Sequence, residues 1–358
     1  MDDKIGKYLK DKPESWKDVT VRHLLTHTSG LGDYPNDFNY RKDYTEPEIF
    51  EIIKKSDLKF KPGEKWQYSN FAYVTLGVLI RKVSGKFYGD FLQERVFEPL
   101  EMKTARVINE ADIIQNRAAG YRLVNGNLKN QSWIAPSLNT TADGALYMTV
   151  EDLAKWDAAL YGEKLLKKSS FKQMWSPVKL NNGKTYPYGF GWSIGKVTGS
   201  RVFQHSGGWQ GFSSYIARYI DEKTTIIVLA NSSSTGVFDI IKGVAEIYNP
   251  KLAPILEKAI EDKEPEITAL LKDLLRKALD GTIEKDAFSK EAQEKLYPLV
   301  KSSASALNFG KILRFELLKR DSKGNLSHYN YRVTFENSKN TIYFVLNQEN
   351  KIAGINIR

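Results

Sequence analysis

The 358 residues include 53 basic and 43 acidic side chains, no cysteine and 41% hydrophobic positions, which excludes disulfides, thiolate metal sites, cysteine nucleophiles and a disordered chain. Their number suits two domains better than one, because a single core seldom grows past about 250–300 residues. The formal charge of +10 is spread along the chain in short clusters such as Lys167-Lys168, which argues for a solvated surface and against a nucleic-acid site.

The chain opens on MDDKIGKYLK, which has no apolar core and so is no signal peptide. No later apolar run reaches the roughly 18 residues of a membrane span. Val19–His27 and Glu48–Lys55 read as short helices, and Ser69–Ser84 as a longer apolar helix ending at Gly85. Thr149 reads as an N-cap, with Glu151 and Asp152 in the first turn and Leu153, Trp156 and Leu160 on one face. Strand-like runs follow at Gly189–Gly195, Arg201–His205, Phe212–Tyr219 and Thr224–Ala230. Turns such as Asp221-Glu222-Lys223 favour antiparallel pairing between them. Val237–Tyr248 returns to helix. Beyond Pro250, residues 251–279 and 291–306 have helical periodicity, and Ile312–Leu318, Tyr329–Phe335, Thr341–Leu346 and Lys351–Ile357 suggest a four-stranded meander. The fold class is α+β, with one domain at 1–250 and a small accessory α+β domain at 251–358.

Two segments concentrate unusual side chains. Pro62-Gly63 through Tyr68-Ser69-Asn70 places a phenol and an amide where a helix begins, although Ser69 or Asn70 also suits a simple helix cap. Gln204-His205-Ser206-Gly207-Gly208-Trp209 ends a strand with two glycines, which lets a ligand approach the backbone or else marks a β-bulge. Two other patterns carry less. Gly191-Trp192-Ser193-Ile194-Gly195 matches a nucleophile elbow, with Asp239 and His328 following in order, but that elbow needs a helix after the strand and Lys196–Gln204 reads as turn and strand. His23 and His27 have zinc-ligand spacing, yet the intervening residues lack the glutamate base and no third ligand is evident. No metal or organic cofactor is expected.

Taken in order, these segments resemble the serine beta-lactamase-related family, which groups class C beta-lactamases, D,D-peptidases, D-aminopeptidases and family VIII esterases. Val19 through Leu31, containing His23-Leu24-Leu25-Thr26-His27-Thr28-Ser29-Gly30, resembles the family's stretch near the active-site rim. Tyr68-Ser69-Asn70 resembles its Tyr-x-Asn motif, Ala142-Asp143-Gly144-Ala145-Leu146-Tyr147-Met148-Thr149 its glycine-rich stretch, and His205-Ser206-Gly207 its third motif. The resemblance covers about residues 1–248 and implies a beta-lactamase/transpeptidase-like fold, an antiparallel sheet flanked by helices.

The resemblance also implies roles. Tyr68 would carry the proton, Asn70 would orient a lysine and the substrate carbonyl, and His205 would meet a carboxylate or polarise the tyrosine network. The Gly208 N–H would supply half of an oxyanion hole, with Ser69, Ser206 and Gly207 lining the substrate. The implied substrates are small esters, D-amino-acid peptides or cell-wall fragments, and a histidine in place of the third-motif lysine favours esters and peptides over beta-lactams. The family's nucleophile sits in a Ser-x-x-Lys motif upstream of the rim stretch. The pairs present here, Ser56/Lys59, Ser169/Lys172, Ser176/Lys179 and Ser193/Lys196, all lie elsewhere. Two readings stay open. One is a serine acyl-hydrolase whose nucleophile segment and export leader lie upstream of Met1, for a periplasmic or secreted setting. The other is a non-catalytic module that binds peptide or cell-wall fragments. In the first case the domain at 1–250 is incomplete, and an apolar groove and an unpaired strand edge should be exposed.

Overall fold

The computed structural model describes residues 1–108, 110–124, 126–252, 258–303, 309–336 and 338–357. The chain divides into two compact units, Met1–Pro254 and Ile255–Arg358.

In the first unit, helices α1 (Val21–Leu25), α2 (Glu46–Lys55), α3 (Asn70–Ser84) and α4 (Tyr88–Leu92) precede α5 (Val150–Ala159), α6 (Lys168–Met174) and α7 (Val237–Tyr248). Small two-stranded ribbons join β1 (Arg106–Val107) to β4 (Leu146–Tyr147), β2 (Tyr121–Val124) to β3 (Asn127–Asn130), and β5 (Val178–Lys179) to β6 (Thr185–Tyr186). The main sheet is antiparallel, in the order β10-β9-β8-β7, from β7 (Ser193–Val197), β8 (Ser200–Trp209), β9 (Phe212–Tyr219) and β10 (Thr224–Ala230).

The sequence dictates these hairpins through their turns. Thr198-Gly199 and Gln210-Gly211 each place two consecutive residues at positive φ, the two-residue turn whose twist matches the flanking strands. Alternation then sends consecutive side chains to opposite faces. Val202 and Ala217 pack with Ile241 and Ala245 of α7, whereas Phe203 and Ile216 join Leu160, Phe171 and Trp192. The sheet is thus covered on both faces, and a separate helical core, including Trp16, Leu24, Ile53 and Phe71, sits under the N-terminal segments.

Several boundaries differ from expectation. The helix at 19–27 shrinks to α1 because Thr20 and His23 form a reciprocal capping box and His27 turns to a positive φ of 55°. Gly189–Trp192 is not strand, since Gly191 takes a φ of 72° and its N–H bonds the Leu25 carbonyl at 3.3 Å. Strand β8 runs on through Gly207 and Gly208 to Trp209 in unbroken register with β9, so the glycines mark no bulge. Ser193 opens a strand and has no helix behind it, which removes the nucleophile elbow.

Strand β10 pairs only with β9, leaving its other edge without a strand among the described residues. Helix α7 buries Val237, Ile241 and Ala245 but exposes Phe238, Ile240, Val244, Ile247 and Tyr248. The exposed apolar side chains share the outer face with Asp239 and Lys242.

The second unit has α8 (Pro265–Leu279), α9 (Lys290–Lys295) and α10 (Tyr297–Ser303), then an antiparallel meander of β11 (Ile312–Lys323), β12 (Leu326–Phe335), β13 (Lys339–Leu346) and β14 (Ile352–Ile357). The long helix expected from residue 251 starts only at Pro265, which takes the first helical position; residues 253–257 and 304–306 of the expected helices lie outside the described residues. One core joins Leu271, Leu275, Phe288, Tyr331, Val333 and Phe344. Among the described residues no helix is long and apolar enough to cross a membrane.

Candidate active site

Tyr68 lies just before α3. Ser69 is the cap of that helix: its hydroxyl donates to the Gly32 carbonyl at 2.6 Å and accepts the Ala72 N–H at 3.0 Å. Only 1% of Ser69 is exposed. The expected substrate contact at Ser69 is therefore corrected to a structural cap, its hydroxyl fully used inside the fold.

Asn70 is the first residue of α3, and its amide donates to both carboxylate oxygens of Asp33, at 3.2 and 3.0 Å. Its backbone N–H points to the same group at 3.4 Å. Asp33 thus holds the side chain that the family resemblance would aim at a lysine.

Tyr68 keeps 40% of its surface exposed, and its ring lies 6.1 Å from that of His205. Partial burial lifts the Tyr68 phenol above its ordinary value, and the charges of Asp143 and Asp33 add to the rise. At neutral pH Tyr68 is a proton donor. Asp143 accepts the Tyr34 hydroxyl at 3.2 Å, and desolvation raises its own carboxyl.

His205 comes from β8. Its Nδ1 is 2.7 Å from the Ser206 carbonyl, an acceptor only, so Nδ1 carries the hydrogen. Burial lowers the pKa of the ring, which is accordingly neutral, and Nε2 accepts the Tyr188 hydroxyl at 3.0 Å. A neutral imidazole with both nitrogens engaged is poorly suited to holding a carboxylate, contrary to one expected role.

Ser206, Gly207 and Gly208 are exposed, and beyond Gln204 the strand pairs with β9 alone. One edge of this stretch is therefore open to a ligand's backbone. Gly207 permits the close packing behind it, because a Cβ there would sit 2.6 Å from Ser214 Oγ. Trp209 closes the far end, its Nε1 donating to Asn139 at 2.7 Å. Tyr68 and His205 thus lie near each other, with Asn70 two residues along the chain from Tyr68 and the open edge at Gly207-Gly208 beginning two residues beyond His205.

Asp33, Tyr34 and Tyr188 belong to no motif of the sequence, and Asp143 stands in one only as part of the glycine-rich stretch. Their one local signal is position, since Asp33 follows the Ser29–Gly32 turn directly and Tyr188 precedes Gly189. Among the described residues no cluster of three or more His, Asp or Glu could hold a metal ion. His23 caps α1 and His27 is buried at 1% exposure, so neither faces a ligand. Ser56 ends α2 with its hydroxyl on the Ile52 carbonyl, Ser176 bonds the Lys172 carbonyl, and Ser169 and Ser193 sit in α6 and β7.

Residues 1–246 match the beta-lactamase family. The chain belongs to that family. It is 33% identical over 286 residues to a penicillin-binding protein of Bacillus subtilis (strain 168), covering 74% of this chain and 63% of that one. A D-aminopeptidase of Gluconobacter oxydans (strain 621H) is 25% identical over 59% of this chain and 41% of its own. Among solved structures, a D-stereospecific amidohydrolase from Streptomyces sp. superposes with a TM-score of 0.59 and 27% identity, over 68% of this chain and 78% of that one. The D-amino acid amidase from Ochrobactrum anthropi SV3 in complex with D-phenylalanine gives 0.59 and 26%, over 70% and 77%. The fold is the beta-lactamase/transpeptidase-like one, and the family is the serine beta-lactamase-related one. The chain spans between 41% and 63% of the length of the relatives named from Bacillus and Gluconobacter.

Proposed function

We propose that the first unit is the proton-handling and substrate-binding part of a serine hydrolase acting on D-amino-acid amides, peptides or esters. The observation that carries this reading is the approach of Tyr68 to His205 on β8, a strand whose next residues have one free edge. A substrate backbone laid along that edge would bring its carbonyl to the Gly208 stretch, with Tyr68 placed to return a proton to the leaving group. The substrate class follows from charge. Asp33 and Asp143 set a negative field around Tyr68, and His205 is neutral, so a substrate with a free ammonium suits the site better than one with a carboxylate. The D-aminopeptidase and D-amino acid amidase relatives support the same class.

The nucleophile in this proposal is the serine of a Ser-x-x-Lys element outside these 358 residues. Its Oγ would attack the carbonyl, and the proton it loses would pass to a Tyr68 phenolate and on to the leaving amine or alcohol. The lysine ammonium, entering beside Asn70, would lower the Tyr68 phenol that the two aspartates now raise. Without that element the chain binds peptide or cell-wall fragments and does not turn them over, because Tyr68 stays protonated and Asn70 stays clasped to Asp33.

Labelling with a fluorophosphonate or a fluorescent penicillin, read by intact mass, tests this. The 358-residue chain should gain no adduct. The same chain extended by its upstream reading frame should gain one, on the serine of Ser-x-x-Lys, and should cleave D-phenylalanine p-nitrophenyl ester faster than nitrocefin. Tyr68→Phe in the extended protein should lose about 10²–10⁴ in rate. An adduct on any serine of the present chain, or an extended protein that binds without labelling, would overturn the proposal.

A further inference from the structure

We infer that His27 is the positioning residue for Tyr68, an inference that rests on the reading of Tyr68 as the proton carrier. The backbone on both sides of Tyr68 is fastened to this one residue. The Gln67 N–H donates to the His27 carbonyl at 2.9 Å, and the Ser69 N–H donates to His27 Nδ1 at 3.1 Å. Between those bonds the imidazole lies against the Tyr68 ring with centroids 4.2 Å apart. Main chain before, main chain after and the ring itself are all held by His27.

Neighbouring rings fix the clip in turn. His27 stacks on Tyr73 at 5.0 Å and meets Tyr188 edge-on at 5.2 Å, and Tyr188 is the partner of His205. The imidazole therefore touches both Tyr68 and the ring whose hydroxyl bonds His205, so one residue supports both site groups.

Two features show how tightly the arrangement is constrained. A positive φ of 55° is strained for a side chain with a Cβ and persists only where surrounding contacts enforce it. The contacts also demand a flat ring for stacking and a bare acceptor atom at the position of Nδ1. Phenylalanine offers the first, asparagine the second, and only neutral histidine both. Burial, with a smaller contribution from His205, holds His27 neutral down to about 3, so the acceptor persists across the physiological range.

The test uses the 358-residue chain labelled at the tyrosine Cζ carbons, with the Tyr68 signal assigned through Tyr68→Phe. His27→Asn keeps an acceptor for Ser69 but removes the ring. The Ser69 amide should stay protected from exchange, while the Tyr68 phenol falls back toward its ordinary titration. His27→Phe should do the reverse, with Ser69 exchanging about tenfold faster and Tyr68 still stacked. His27→Ala should lose both, and if that variant fails to fold, the first two still decide. Unchanged Tyr68 titration in His27→Asn together with unchanged Ser69 exchange in His27→Phe would overturn the inference. So would equal changes at Tyr219 in the main sheet of the same unit, which would mean general loosening. Absence of acylation in the extended protein would overturn the hydrolase reading and leave this result standing.

Discussion

In the second unit, β12 and β13 alternate along their length, and Tyr329, Tyr331, Val333 and Phe335 share a core with Ile342, Phe344 and Leu346. The first unit alternates likewise in its main sheet but has no single core. It buries His27, Thr28, Ser69, Asn139, Asp157 and Arg218, and divides its apolar residues among separate clusters. A single alternating core is enough to specify a small domain, whereas a site needs polar groups held in place where water cannot compete. Those groups concentrate the first unit's vulnerability. All seven tryptophans lie in the first unit, so tryptophan fluorescence follows that unit alone.

The largest effect should come from Asp157. Arg218 is fully buried, bonded to Asp157 and ringed by Tyr161, Trp175 and Trp192 at 4.7, 5.3 and 5.9 Å. Asp157→Ala strands that guanidinium, at a cost of about 3–5 kcal/mol. The urea midpoint read by tryptophan fluorescence should drop accordingly, while thermal loss of the second unit's sheet signal stays put. A loss below about 1 kcal/mol would show that the aromatic cage alone satisfies the charge.

Acid should separate the units next. The folded pKa of His27, about 3, lies below its unfolded value of 6.5, so the unfolded chain binds a proton that the native chain refuses. The stabilising contribution is therefore complete above about pH 6.5 and is lost as pH falls toward 3. The slope is at most about 1.4 kcal/mol per pH unit, and His205 adds in the same direction. Urea titrations between pH 7 and pH 4.5 should give a fluorescence midpoint that falls with pH, and His27→Phe should flatten it. An identical slope in that variant would assign the acid sensitivity to carboxylates instead.

The smallest effect belongs to the cap. Ser69→Ala removes one helix-start bond and one bond to Gly32, worth about 1 kcal/mol together. A fluorescence midpoint that did not move would mean that water replaces the hydroxyl.

What the sequence revealed and what it hid divide along chemical lines. Strands β9 and β10 and helix α7 fall where periodicity put them, since alternation and turn residues act within a few positions. The cap at Thr149 was legible for the same reason. The site was legible only as motifs. The bonds that decide its chemistry join Asn70 to Asp33 across 37 residues, Ser69 to His27 across 42 and Tyr34 to Asp143 across 109. No local pattern encodes such partners. The neutral state of His205 is what a histidine at that position suggests, but its bond with the Tyr188 hydroxyl was hidden, because Tyr188 arrives from a neighbouring loop.

The uncharged free edge of β10 and the exposed apolar side chains of α7 have a consequence for handling the protein. Seven residues, Thr224 to Ala230, present no charge and no proline to deter a passing strand. The folded chain should bind a dye such as ANS at the α7 face. Its yield in a cell should follow chaperone supply, and its behaviour in a tube should follow concentration, long before any substrate is added.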